Sequence, residues 1–167
     1  MLVAEPQAAV VGKSFLEIGC GLAIPSMALL KLGAGKVTAT DLHPDVPEFL
    51  ERNFAANHLS DHPAFSYRSL DWRMRSAEVL AERPDWILAS DVLYDRGQAE
   101  AVAAFLVEAF AAGATRAMIT DPGRPYLQDF VSACDRLGLQ SIVEIFRTDP
   151  ADSRRDCFIL RLVPSGI

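Results

Sequence analysis

The residues Glu17, Gly19 and Gly21 close an apolar run, Phe15-Leu16-Glu17-Ile18-Gly19-Cys20-Gly21, that reads as a buried strand entering a glycine turn ahead of a helix. Glycines at such a turn let backbone approach a ligand with no Cβ in the way. Dinucleotide sites add a third glycine and seat a pyrophosphate on the helix N-terminus. Ile24 holds that third position here, so the dinucleotide pattern is broken. A carboxylate two residues before the first glycine suits a cation, such as a methionine-derived sulfonium with its ammonium, better than a pyrophosphate. An ordinary tight turn is the alternative reading of the glycines alone.

Asp41 ends the next apolar run, Val37-Thr38-Ala39-Thr40-Asp41, twenty residues after Gly21. In doubly wound folds an acid at about that distance binds ribose hydroxyls, and one carboxylate can accept both. Capping of a nearby loop, given Pro44 and Asp45, is the bland alternative; the register with the glycine turn favours ribose. In Leu70-Asp71-Trp72 a carboxylate could accept an adenine amino group and an indole could cover the ring. A loop cap with a half-buried Trp explains the same residues equally well. Asp91-Val92-Leu93-Tyr94 follows another buried run, 85–90. Enzymes that methylate adenine amino groups often carry [DNS]-P-P-[YF] at such a place. Keeping the outer types while losing both prolines argues for a nitrogen acceptor other than a nucleobase. Asp91 as a helix cap with Tyr94 packed is the alternative. Asp121-Pro122-Gly123-Arg124-Pro125-Tyr126 reads as a turn and helix start whose Arg124 or Tyr126 could line a substrate mouth.

These groups need a scaffold that brings strand ends together. Strand-length apolar runs at 14–18, 36–40, 64–68, 86–90 and 116–120 alternate with helical patterns at 24–32, 46–57, 98–111 and 126–137. Pro25 suits the first turn of its helix and Gly33 its end. Two last strands, 140–146 and 157–163, have only a polar stretch with Pro150 between them, so they pair antiparallel. The expected fold is therefore α/β: a doubly wound, mostly parallel seven-stranded sheet with a C-terminal antiparallel hairpin. Such sheets bind ligands at the carboxyl ends of their strands, near the topological switch point.

Bulk properties exclude several classes. Half of the 167 residues are apolar, enough for one packed domain. No apolar run approaches the roughly 20 residues of a membrane span, and residues 1–6 do not read as a secretory signal. A formal net charge of -6 disfavours broad nucleic-acid binding. The basic groups Arg68, Arg73 and Arg75, and Arg147, Arg154 and Arg155, read as solvated loop residues. Cys20, Cys134 and Cys157, odd in number and far apart, read as reduced thiols of a cytoplasmic protein. His43, His58 and His62 lack companions at ligand spacing, so no metal is expected. Neither a Ser/His/Asp arrangement nor a Lys-containing phosphate loop is found.

The motifs at 16–21, 37–41, 70–72 and 91–94, with Asn53 and Asn57, stand in an order that resembles the family 16 group of class I methyltransferases. That group holds protein-lysine methyltransferases and bacterial proteins similar to nicotinamide N-methyltransferase, and residues 121–126 resemble the bacterial branch. The likeness runs by motif from about residue 12 to 126. It implies S-adenosylmethionine as methyl donor, with Glu17, Gly19 and Gly21 near its methionine part, Asp41 at the ribose, and Asp71 and Trp72 at the adenine. Leu42 and Ser90 complete the expected cofactor-binding set. Asp91 and Tyr94 are the expected catalytic residues, facing a nitrogen acceptor. The implied function is N-methylation of a protein lysine. A small-molecule amine acceptor and a non-catalytic cofactor-binding domain are the rivals, and a homodimer is possible. Ala23 stands where relatives carry glycine, which tightens the turn. The whole chain reads as one such domain whose N-terminal segment is shorter than is usual in the group.

Overall fold

A computed structural model describes residues 7–74, 77–147 and 156–164. Residues 1–6, Arg75, Pro150, Arg154 and Arg155 lie outside the described residues. Seven strands, β1 (Ser14–Ile18), β2 (Lys36–Asp41), β3 (Phe65–Ser69), β4 (Trp86–Ser90), β5 (Arg116–Asp121), β6 (Leu139–Arg147) and β7 (Asp156–Pro164), form one sheet in the order β3-β2-β1-β4-β5-β7-β6. The helices are α1 (Ile24–Lys31), α2 (Val46–Ala56), α3 (Ala77–Leu80), α4 (Arg96–Ala111) and α5 (Leu127–Arg136). Strands β1 to β5 are parallel, and β7 runs antiparallel to both β5 and β6. The sheet and its hairpin are therefore those expected from the sequence.

Alternation along β1 explains the layering. Leu16 and Ile18 point into a core with Phe105 and Leu106 of α4 and Phe130 of α5. Phe15 points the other way, into a core with Leu29 and Leu30 of α1 and Leu50 and Phe54 of α2. Both faces of the central strands are covered, so they read as nearly continuous apolar runs. Glu17 shares the parity of Phe15, and the period of two drives its carboxyl into the interior beside α1. The first crossover turns one way from β1 to β2, and β4 lies on the opposite flank of β1. Backbone therefore diverges at the carboxyl ends of β1 and β4 and leaves a crevice there.

The helix faces were legible only in part. Val46, Leu50 and Phe54 of α2 are buried, but Phe49 falls off that i,i+4 stripe and is 44% exposed. In α5 the stripe is Phe130, Ala133 and Cys134, while Leu137 faces outward. Helix α4 begins two residues earlier than its apolar stripe, because Asp95 caps it by accepting the Gly97 N–H at 2.7 Å. β3 begins one residue later than expected, although the Ala64 carbonyl still accepts the Val37 N–H at 2.7 Å. The single turn of α3 is too short to leave a periodic signal. Among the described residues, β6 pairs only with β7, and Ile142, Val143, Ile145 and Phe146 are exposed. No helix of the described residues is long and apolar enough to cross a membrane.

Candidate functional site

A cavity of about 680 Å³ opens in the crevice at the carboxyl ends of β1 and β4. Glu17, Gly19, Gly21, Ser90 and Asp91 line it, together with Leu22 and Ile24 at its mouth. A second hollow, of about 60 Å³, is lined by Asp41, Leu42, Asp71, Trp72 and Tyr94. The glycine turn lines the first hollow, and two residues of the second, Asp41 and Trp72, pack against that turn. Asp41 accepts the Gly21 N–H at 2.9 Å, and the Trp72 ring lies 3.2 Å from where a Cβ on Gly19 would stand. All ten residues singled out in the sequence therefore border one of two adjoining spaces.

Glu17 is almost completely buried. One carboxyl oxygen, Oε2, accepts the Ser26 hydroxyl and, at 3.1 Å, the Ser26 N–H in the first turn of α1. The other oxygen, Oε1, is buried with no hydrogen-bond partner among the described residues. Burial, opposed by the two bonds from Ser26, pushes the Glu17 pKa up to about 7. An orphaned acceptor at the wall of a cavity is where a cationic donor would be stabilised most. Ser26 was not read from the sequence as part of the site, although a serine in the first turn of the helix is a type often used there.

The turn itself needs its glycines. Gly19 has φ +63°, and a Cβ there would sit 2.7 Å from Val92 Cγ1. Gly21 has φ +49° but has open space where a Cβ would be. Ala23 follows at φ 52°, a left-handed conformation that costs a non-glycine residue about 1 kcal/mol. It is held there by the 2.7 Å bond from its N–H to the Cys20 carbonyl and by complete burial of its methyl. Asn53 of α2 donates to the Leu22 carbonyl at 3.2 Å and ties the turn to its flank.

The second hollow is more closed. Asp41 uses its other oxygen to accept the His43 N–H at 2.9 Å. Trp72 donates from Nε1 to Gln98 of α4 at 2.7 Å, which fixes the indole across the turn. Asp71 differs from the expectation of a free adenine acceptor. Arg73 grips both its oxygens, with Nη2 to Oδ2 at 2.6 Å and Nε to Oδ1 at 2.8 Å, and holds its pKa below the usual carboxylate range. Oδ1 also accepts the Arg73 backbone N–H at 3.0 Å, which is the loop-cap geometry, and only Oδ2 keeps a further lone pair.

The residues expected to meet an acceptor are separated. Asp91 borders the large cavity, and Tyr94, 55% exposed, borders the small hollow. Between them Val92 and Leu93 are buried and anchor the loop where the adenine-directed tetrad has prolines. Asp91 has φ 59°, and its N–H donates to the Thr120 carbonyl at 2.8 Å. It does not cap α4. Its carboxylate pairs instead with Arg124 on the loop after β5, with Nη2 to Oδ2 at 2.7 Å and Nε bonded to Oδ1. Arg68 and Arg73 are ion-paired with Glu82 and Asp71, and Arg147 lies 3.9 Å from Asp156. No group of three or more His, Cys, Asp or Glu among the described residues is placed to hold a metal ion.

The chain is similar to known proteins in sequence and in fold. A family model described as "Lysine methyltransferase" matches residues 3–124. The electron transfer flavoprotein beta subunit lysine methyltransferase of Mus musculus is 28% identical over 149 residues, which is 89% of this chain and 54% of that protein. A histone-arginine methyltransferase of Rattus norvegicus is 34% identical over 94 residues, 56% of this chain and 41% of that protein. The chain thus spans about half or less of the length of these two relatives. Among solved structures, the magnesium protoporphyrin IX methyltransferase of Synechocystis PCC 6803 with bound S-adenosylmethionine superposes with a TM-score of 0.71 at 19% identity. That match covers 98% of this chain and 74% of the other, and it shows a common fold.

Proposed function

We propose, from the premise that this chain belongs to the lysine methyltransferase family, that it binds S-adenosylmethionine in the crevice between β1 and β4 and methylates a protein lysine. The observation that carries the reading is the buried Glu17 with its orphaned oxygen, next to a glycine turn that has no room for a side chain at Gly19. Both features fit the cofactor. The carboxyl would take its ammonium, the bare turn would let its methionine part lie against backbone, and Asp41 would take the ribose hydroxyls. Leu42, Trp72 and Asp71 would form the adenine end, with Asp71 using the lone pair that Arg73 leaves on Oδ2. Ser90, whose hydroxyl accepts from Thr120 at 3.1 Å, would close the floor.

When bound, S-adenosylmethionine supplies a methyl group on a sulfonium, which a neutral amine can take while the C–S electron pair stays on sulfur. The chain's own work is to align and to exclude water. Asp91 orients the amine, and Tyr94, exposed beside the small hollow, would offer a ring face to a cation that arrives from that side. The likeness of most of the chain to a protein-lysine methyltransferase supports a lysine over a small amine. Asp91→Ala is expected to lower methyl transfer to protein in a cell lysate by about a hundredfold or more. Its cofactor affinity, read by calorimetry, should change by less than about threefold. Loss of both to the same degree would move Asp91 out of the acceptor site. Label from the methyl donor appearing only in the small-molecule fraction would replace the lysine by a free amine.

A further inference from the structure

Asp91 orients an amine in the reading above, yet both of its oxygens are taken by Arg124. The two residues lie 33 positions apart, on the loops after β4 and β5; each is half exposed, and Asp91 lines the large cavity. The backbones on both sides are fixed. On one side Asp91 is tied to the Thr120 carbonyl. On the other, the buried Asp121 accepts the Gly123 N–H at 2.7 Å and the Arg124 N–H at 2.6 Å. Gly123, at φ +88°, stands where a Cβ would come within 3.0 Å of Phe158, so that turn is closed down on the sheet. What remains free to move is the solvent-facing side chain of Arg124.

We propose that Arg124 is a specificity-determining residue that reserves Asp91 for a cationic acceptor, so that an ammonium side chain is admitted and a neutral ring nitrogen is not. The inference rests on the proposed function. An ammonium brings three N–H donors and a positive charge, and it replaces the guanidinium on Asp91 ion for ion. A pyridine nitrogen has no N–H to offer the carboxylate and leaves the pair intact. Exposed pairs of this kind are weak, so the exchange is cheap once a donor arrives. The Asp91 carboxylate favours the charged form of the seated ammonium, and the displaced guanidinium, a like charge that stays on its short loop, offsets part of that hold. The ammonium proton then passes to water, which leaves the neutral amine that transfer needs.

The test uses the full chain loaded with S-adenosylhomocysteine, with loading first confirmed by calorimetry. It is titrated with n-butylammonium chloride and, separately, with nicotinamide, while NMR follows the Arg124 Nε–H signal. Butylammonium is expected to shift that signal, with an effect that weakens as salt is raised, and nicotinamide is expected to leave it in place. Arg124→Gln should bind butylammonium about two- to fivefold more tightly, and Arg124→Lys should stay within about twofold of the unaltered chain. Asp91→Asn should abolish the binding. A glutamine variant that binds no tighter, or a nicotinamide that shifts Arg124 as strongly, overturns the proposal. Failure at the loading step refutes the cofactor reading, and this inference falls with it.

Discussion

The affinity for S-adenosylmethionine should rise about sixfold between pH 6 and pH 7.5, and Glu17→Gln should remove that rise. The free protein holds Glu17 half protonated near pH 7, because its site is dry and only Ser26 bonds to the carboxylate. A cationic ligand beside Oε1 favours the ionised form, so binding expels a proton wherever the free carboxyl still carries one. Tighter binding at higher pH is the required sign. The series stops at pH 7.5 because an α-amino group itself titrates at about 7.7 to 8.0. The glutamine variant still accepts from Ser26 but offers no charge, and it should bind about tenfold or more weakly at pH 7.5. Calorimetry over the pH series reads both effects. A flat profile in the unaltered chain would remove the ligand's cation from Oε1.

The same carboxyl sets a slope in stability. Its pKa is near 4.5 in the unfolded chain and about 7 in the folded one, so the folded state binds more protons between those values. The contribution is present in full below about pH 4.5 and is lost as pH rises through about 7, for a total of about 3 kcal/mol. Urea melts at the two ends of that window, with Glu17→Gln as the control, measure it.

Gly19→Ala should be the most damaging single methyl that can be added to the crevice. The new Cβ meets a left-handed backbone and Val92 Cγ1 at 2.7 Å at once. The first costs about 1–2 kcal/mol and the overpacking about 1–3 kcal/mol. Val92 cannot retreat, because it is buried under the Asp91 loop. Cofactor binding is expected to fall about a hundredfold or more, since the turn must shift into the space the ligand needs. Gly21→Ala is the contrast. It keeps the backbone penalty but has open space, so about 1 kcal/mol of stability is lost. Thermal melts and calorimetry on the pair separate strain from collision. Equal behaviour of the two variants would show that Val92 does not brace the turn.

The sheet was legible in the sequence because its strands are buried on both faces, which leaves runs such as Trp86–Ser90 with no polar interruption. The residues expected to face a cofactor could be picked out because they lie at or just beyond the carboxyl ends of such runs. What the sequence hid is pairing across the fold. Asp71 and Arg73 are near neighbours, but nothing in their spacing says that the arginine folds back. Asp91 and Arg124 meet only because β4 and β5 lie side by side. Asp41 was found by its distance from Gly21, yet the bond that ties the two is to backbone, which no residue type announces. The orphaned oxygen of Glu17 is invisible for a similar reason: the identity of residue 17 gives its charge, and only packing says which lone pairs are left over.

The divergence of the chain on either side of β1 has a consequence for descent and for engineering. The wall expected to hold the cofactor comes largely from residues before Trp72, and the Asp91–Arg124 rim comes wholly from the loops after β4 and β5. Selection can rework one with little renegotiation of the other, provided that Val92, which meets the Gly19 turn, and Tyr94, which lines the small hollow, are kept. Exchanging the rest of the loops after β4 and β5 between members of the family should transplant acceptor preference and leave donor affinity where it was. The border between what is inherited and what is retuned would then fall at the gap between two neighbouring strands.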